Sequence, residues 1–146
     1  MMGMVYSFLD VNAALVGPGG FINLGSGAGN AEEGITIAPT GDKNTMTIGA
    51  DGSGMHSLHA DKSGTITARF LKTSPTNQLL AAMYMFQTAS ASQHGQNVIT
   101  ITDSRGDAVV CRSCAFKKAP DLNYAKEGGM VEWVWDAVYI DRTLGE

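Results

Sequence analysis

Residues 130–141 constrain the fold most. Val131, Trp133, Trp135, Ala137 and Tyr139 fall on alternate positions. A period of two places all five on one face of an extended strand. The other parity mixes Met130, Val134, Val138 and Ile140 with Glu132 and Asp136. Two indole rings on one face demand a deep core. Burying each contributes on the order of 4–6 kcal/mol. This strand is therefore expected to be the keystone of a β-rich domain.

The rest of the chain supplies its partners. Residues 64–71 alternate as well, with Ile66, Ala68 and Phe70 facing one side and Thr65, Thr67 and Arg69 the other. Strands are also expected over 5–16, 21–24, 98–102 and 108–116. Shorter alternating pieces lie at 35–37 and 45–48. Gly17-Pro18-Gly19-Gly20 marks a turn, because Pro presets one dihedral and Gly supplies the other. Residues 104–107 mark a second turn, 25–29 and 49–54 read as mobile glycine-rich loops, and 120–129 as a polar connection. One helix is expected. Ser74 suits its N-cap and Pro75 its first turn. Leu79, Leu80, Met83 and Phe86 recur at helical spacing as far as about Thr88. The sum is seven or eight strands and one helix in a single domain, residues 1–146. That is mainly β with one helix: an antiparallel β-sandwich or small barrel.

Composition narrows function by exclusion. The chain has 146 residues and a net charge of −4. A domain of this size buries roughly 70% of its unfolded surface and needs no staple. Acidic residues outnumber basic ones in both halves, so gripping nucleic acid through its phosphates is disfavoured. No apolar run approaches the roughly 20 residues of a membrane span, and no signal peptide is visible. A soluble product made in a cytoplasm is expected.

Candidate chemistry is thin. His56 and His59 lie near Asp51 and Asp61, but residues three apart on a strand face opposite ways, so no metal is expected. Cys111 and Cys114 form a C-x-x-C in a predicted strand. A redox pair needs a helix N-terminus and a zinc site a second pair, so buried free thiols are expected. No helix follows either glycine cluster as a dinucleotide fingerprint requires, and no cofactor is expected. Glu132 and Asp136 lie about 13 Å apart along a strand, too far for a glycosidase pair. They read as solvated or as lining an acidic surface. Several strands carry apolar residues on both faces. In water a neighbouring copy of the chain is the simplest cover, the alternative being scattered surface apolars.

Runs 32–36, 42–52, 54–59, 71–75, 116–122 and 127–133, taken in order across nearly the whole chain, resemble the tail tube proteins of contractile-tailed bacteriophages. The resemblance implies a structural, non-enzymatic subunit. Six copies would close a ring, and rings would stack into a hollow tube, with the strands joining into one barrel around the lumen. Its partners would be other copies, the tail sheath, and baseplate or initiator proteins. DNA would pass through the lumen without specific binding. The product would belong to the virion tail, assembled in the bacterial host cytoplasm. Type VI secretion tube proteins share this fold and provide an alternative, as does a β-sandwich binding module. On this resemblance Glu132 and Asp136 are expected to face the lumen. A ring-stacking loop is expected around Asp42, Lys43, Asp51, Gly52, Gly54 and Met55.

Overall fold

A computed structural model describes residues 6–25, 27 and 29–144, with backbone alone at 30–33. Seven strands form one antiparallel sheet: β1 (Asn12–Gly17), β2 (Gly20–Asn23), β3 (Asn30–Pro39), β6 (Gly64–Leu71), β7 (Asn97–Thr102), β8 (Ala108–Lys118) and β9 (Met130–Thr143). Their order is β2-β1-β7-β8-β9-β6-β3. Two more, β4 (Asn44–Ile48) and β5 (Gly54–Leu58), form a separate hairpin. Among the described residues the one α-helix, α1, spans Thr76–Thr88. The strand expected over 5–16 begins later. Ser7 accepts a hydrogen bond from the Leu9 amide at 3.2 Å and closes a 3-10 turn, Phe8–Asp10, ahead of β1.

One face of the sheet builds the core. Leu15, Ile22, Ile99, Cys111, Phe116, Trp135, Ile66 and Phe70 come from both halves of the strand order yet join one buried cluster. The sheet therefore curls around its inner face. Trp135 is fully buried and Trp133 nearly so. Phe116 lies 5.4 Å from Trp135 and 5.9 Å from Trp133, ring centre to ring centre. β9 pairs with β6 on one side and β8 on the other, as a keystone strand should.

The alternation on β9 breaks near its end. Tyr139 does not extend the apolar stripe. It lies beside Lys62, whose ammonium donates to its hydroxyl at 3.3 Å, and beneath Arg112. Ile140 packs on the core instead. The cause sits on β8. Ser113 adopts φ 53°, the left-handed region, and β8 spends four residues, Cys111 to Cys114, opposite three of β7, Asn97 to Ile99. This bulge turns both thiols inward. β9 pairs with β8 step for step here, Cys111 with Ile140 and Cys114 with Ala137, and shifts with it. Gly64 leaves room for Ile140, because a Cβ there would overlap its Cδ1.

Helix α1 covers the core and packs on β2. The Ser74 hydroxyl accepts from the Thr76 amide at 3.2 Å and Pro75 is helical at φ −67°, as their residue types suggest. The buried stripe is Thr76, Leu80, Met83 and Gln87, one position round from that expected. Leu79 and Phe86 are about half exposed, at 55% and 47%. The reason is polar. Gln87 and Asn97, both fully buried, exchange two amide hydrogen bonds of 2.7 Å. Gln87 also donates to the Pro18 carbonyl at 2.8 Å. Satisfying these groups fixes the helix rotation, since burying them unpaired would cost more than exposing Leu79. Tyr84 on the same helix sits 5.6 Å from Phe116, and Asn77 accepts from the Trp133 indole at 3.1 Å.

Candidate assembly surfaces

Three features are left facing outward. The first is the pair of sheet edges. Among the described residues β2 and β3 each have one strand partner, so each offers an unpaired edge at opposite ends of the strand order. Natural sheets seldom leave such edges open.

The second is the β4–β5 hairpin. Residues 45–48 alternate as expected and form β4, and the loop expected over 49–54 ends at Gly54, where an unexpected return strand, residues 54–58, begins. Met46 pairs with His56, Thr47 with Met55, and Ile48 with Gly54. The turn between them is ordered by its own bonds. Gly49 donates to the Ser53 carbonyl at 2.7 Å, and the Asp51 carboxylate accepts from the Ser53 amide at 3.1 Å. The Ser53 hydroxyl and amide hold the Asp51 carboxyl below its ordinary value. Asp42 and Lys43 lie at the root, where the Lys43 ammonium donates to the His59 carbonyl at 3.1 Å. Asp51 and Gly52 lie in the turn, with Gly52 at φ 89°. Gly54 and Met55 begin β5. The six suggested stacking residues therefore occupy root, tip and return strand of one projecting element.

His56 and His59 point to opposite sides of this hairpin region. The His56 ring bonds Asn44 at 3.1 Å and the His59 ring bonds Thr45 at 2.6 Å. Among the described residues no three metal-ligating side chains cluster. Cys111 and Cys114 are fully buried, and desolvation pushes their thiols up to about 11 and about 12.

The third feature is the outer face of the sheet. Glu132 and Asp136 both lie on it. Glu132 accepts from Arg69 at 3.1 Å, and Arg69 also donates to the Thr36 hydroxyl at 2.9 Å. Asp136 lies opposite Thr65 and Ala115, with no ion pair among the described residues. The two carboxylates are thus unequal: Arg69 neutralises one and the other keeps its charge. Sequence reasoning missed Arg69 as a partner, because its register opposite Glu132 is a tertiary fact. It also missed the groove where α1 meets β2, although the apolar Leu79 and Phe86 were its visible signal. Among the described helices none is long and apolar enough to cross a membrane.

The profile of the bacteriophage PhiTE tail tube protein family matches residues 3–145. None of the curated proteins matches the chain. Solved structures share the fold at low identity. The sheath–tube complex of an extracellular contractile injection system (PVC, extended state) contains a chain with TM-score 0.60 and 12% identity, covering 97% of this chain and 93% of that one. The sheath/tube terminator of the same system gives TM-score 0.60 at 11% identity, covering 99% and 100%. The anti-feeding prophage tube-terminating cap gives TM-score 0.55 at 13% identity, covering 98% and 95%. With nearly its whole length matched, the chain belongs to the phage tail tube protein family.

Proposed function

We propose that this tail tube family chain is the repeating wall of a hollow tube through which a phage genome leaves the virion. The observation that carries the reading is the strand order, with β2 and β3 unpaired at its two ends. Joining β2 of one copy to β3 of the next removes both edges, and a closed ring leaves none. Six copies per ring are the number the family resemblance implies. Rings stack through the hairpin, with Asp42, Lys43, Asp51, Gly52, Gly54 and Met55 at the contact. The outer sheet face, with Glu132 and Asp136, lines the lumen. The Asp136 carboxylate on this face, without an ion-pair partner among the described residues, repels the DNA backbone, so the genome slides without sticking. The role is assembly, not catalysis. The partners are further copies, a sheath and a baseplate or initiator. The site of action is the virion tail, after assembly in the host cytoplasm.

Negative-stain electron microscopy of the purified chain across a concentration series tests this. Six-membered rings or hollow tubes are expected. Monomers at every concentration, even with tail initiator added, would refute it. Deleting residues 49–54 should leave rings and abolish tubes. A second reading, a tube for an injection particle outside the phage life cycle, draws on the extracellular injection system among the related folds. Nucleic acid inside purified particles separates the two.

A further inference from the structure

Two uncharged apolar surfaces on this chain have no partner among its described residues. One is a groove of about 430 Å3 between α1 and the β1–β2 turn. Phe21, Leu79, Met83 and Phe86 form its walls, with Gly19 and Gly20 at the turn. Phe21 is 67% exposed. Gly19 has φ 103°, and a Cβ there would press on the Phe86 ring at 3.1 Å. The backbone thus keeps this wall of the groove thin. The other surface is one face of the hairpin. Cross-strand pairing puts Met46, Ile48, His56 and Leu58 on the same side. Met46, Ile48 and Leu58 are all more than half exposed.

The hairpin needs a support that the described residues of its own chain do not give. A lone two-stranded ribbon is marginal in water, and nearly every residue of β4 and β5 is exposed. Five residues per strand carry its tip about 17 Å from the root. Electrostatics agree on the occupant. No charged side chain lines the groove, and within residues 44–58 the one Asp, Glu, Lys or Arg is Asp51, in the turn outside the paired positions that carry the apolar face. A charged ligand or an acidic or basic partner has nothing to hold in such a groove.

We infer that the Met46–Ile48–Leu58 face of one copy's hairpin seats in the α1–β2 groove of a second copy. The inference rests on the tube reading and names the receptor that reading leaves open. The two surfaces differ, so the contact is heterologous. Each copy keeps a free hairpin and a free groove, and the contact propagates instead of closing on itself. Covered area is on the order of 400 Å2 per copy, half of the roughly 800 Å2 per partner in a stable pairwise interface. A single contact is weak, while a ring of them acts together. Growth by whole rings, not by single copies, follows.

The test uses Phe86→Glu in the groove and Ile48→Glu on the hairpin. Both positions are about half exposed, so both variants should melt like the parent. Each should form rings, with the concentration needed for tubes raised at least tenfold. Rings of the two variants, formed separately and then mixed, should pair once and stop, because one supplies the hairpin and the other the groove. Tubes from Phe86→Glu at the parental concentration would overturn the groove while leaving hairpin stacking intact. Tubes from Ile48→Glu as well would sink hairpin stacking itself. As a second readout, a chain carrying Ile48→Cys and Leu79→Cys should give a disulfide-linked ladder on oxidation. Cys111 and Cys114 are buried and contribute no background. Tubes without a ladder would overturn the inference.

Discussion

Breaking the Gln87–Asn97 amide pair should unseat the helix. Both side chains are fully buried. In Asn97→Leu the Gln87 carbonyl loses its donor, while its amide keeps the Pro18 carbonyl at 2.8 Å. A buried polar atom without a partner costs about 1–3 kcal/mol, and the lost bonds and imperfect fit bring the total to about 2–4 kcal/mol. Gln87→Met should cost a similar amount, because it strands the Asn97 amide and the Pro18 carbonyl. For a domain of this size that is a fall in melting temperature of about 5–15 °C. The double variant Gln87→Met/Asn97→Leu removes donor and acceptor together. It should be less destabilised than the sum of the singles by about 1–3 kcal/mol. Urea unfolding of dilute monomer, with the slope against denaturant unchanged, provides all three values. Additive effects within about 0.5 kcal/mol, or singles below about 1 kcal/mol, would refute the claim that this pair sets the helix rotation. Gly17→Ala offers an independent route, since a Cβ there would overlap the Asn97 carbonyl oxygen.

Trp135→Ala should cost about 3–5 kcal/mol. Trp135→Phe should cost much less, because the Trp135 indole N–H has no acceptor among the described residues and its loss strands nothing; a pair of thermal melts decides. Arg69→Gln should change stability by less than about 1 kcal/mol, its Glu132 partner being half exposed; a loss above 2 kcal/mol would show that the pair is structural. In the hairpin turn the folded Asp51 carboxyl sits below its ordinary 3.8. Its contribution is therefore present above pH 3.8 and lost as pH falls through the lower folded value. The Ser53 amide resonance should hold its position down to pH 3.8 and move below it. Cys111 and Cys114, with thiols pushed up to about 11 and about 12, should react with a maleimide at pH 8 far more slowly in the folded chain than in urea. Equal rates would mean that the core opens readily.

Local pattern determined the strands of the core, the helix and its cap, and the place of the two tryptophans. Alternation at 64–71 and 131–137, and Ser74-Pro75 before an apolar run, are written into neighbouring residues. The backbone reads them without knowing the fold. Tertiary structure decided what depends on distant partners. The bulge at Ser113 moved Ile140 in and Tyr139 out, an outcome set by how β8 pairs with β7 and β9. Gln87 turned inward because Asn97 and Pro18 were there to meet it, and that rotation left Leu79 and Phe86 facing out. Residues 54–58 became a strand because residues 44–48 lay opposite. Arg69 met Glu132 only through the register of β6 on β9. The unpaired edges of β2 and β3 follow from strand order. The side-chain period is a property of the chain, whereas register, bulge and edge belong to pairs of segments far apart in sequence.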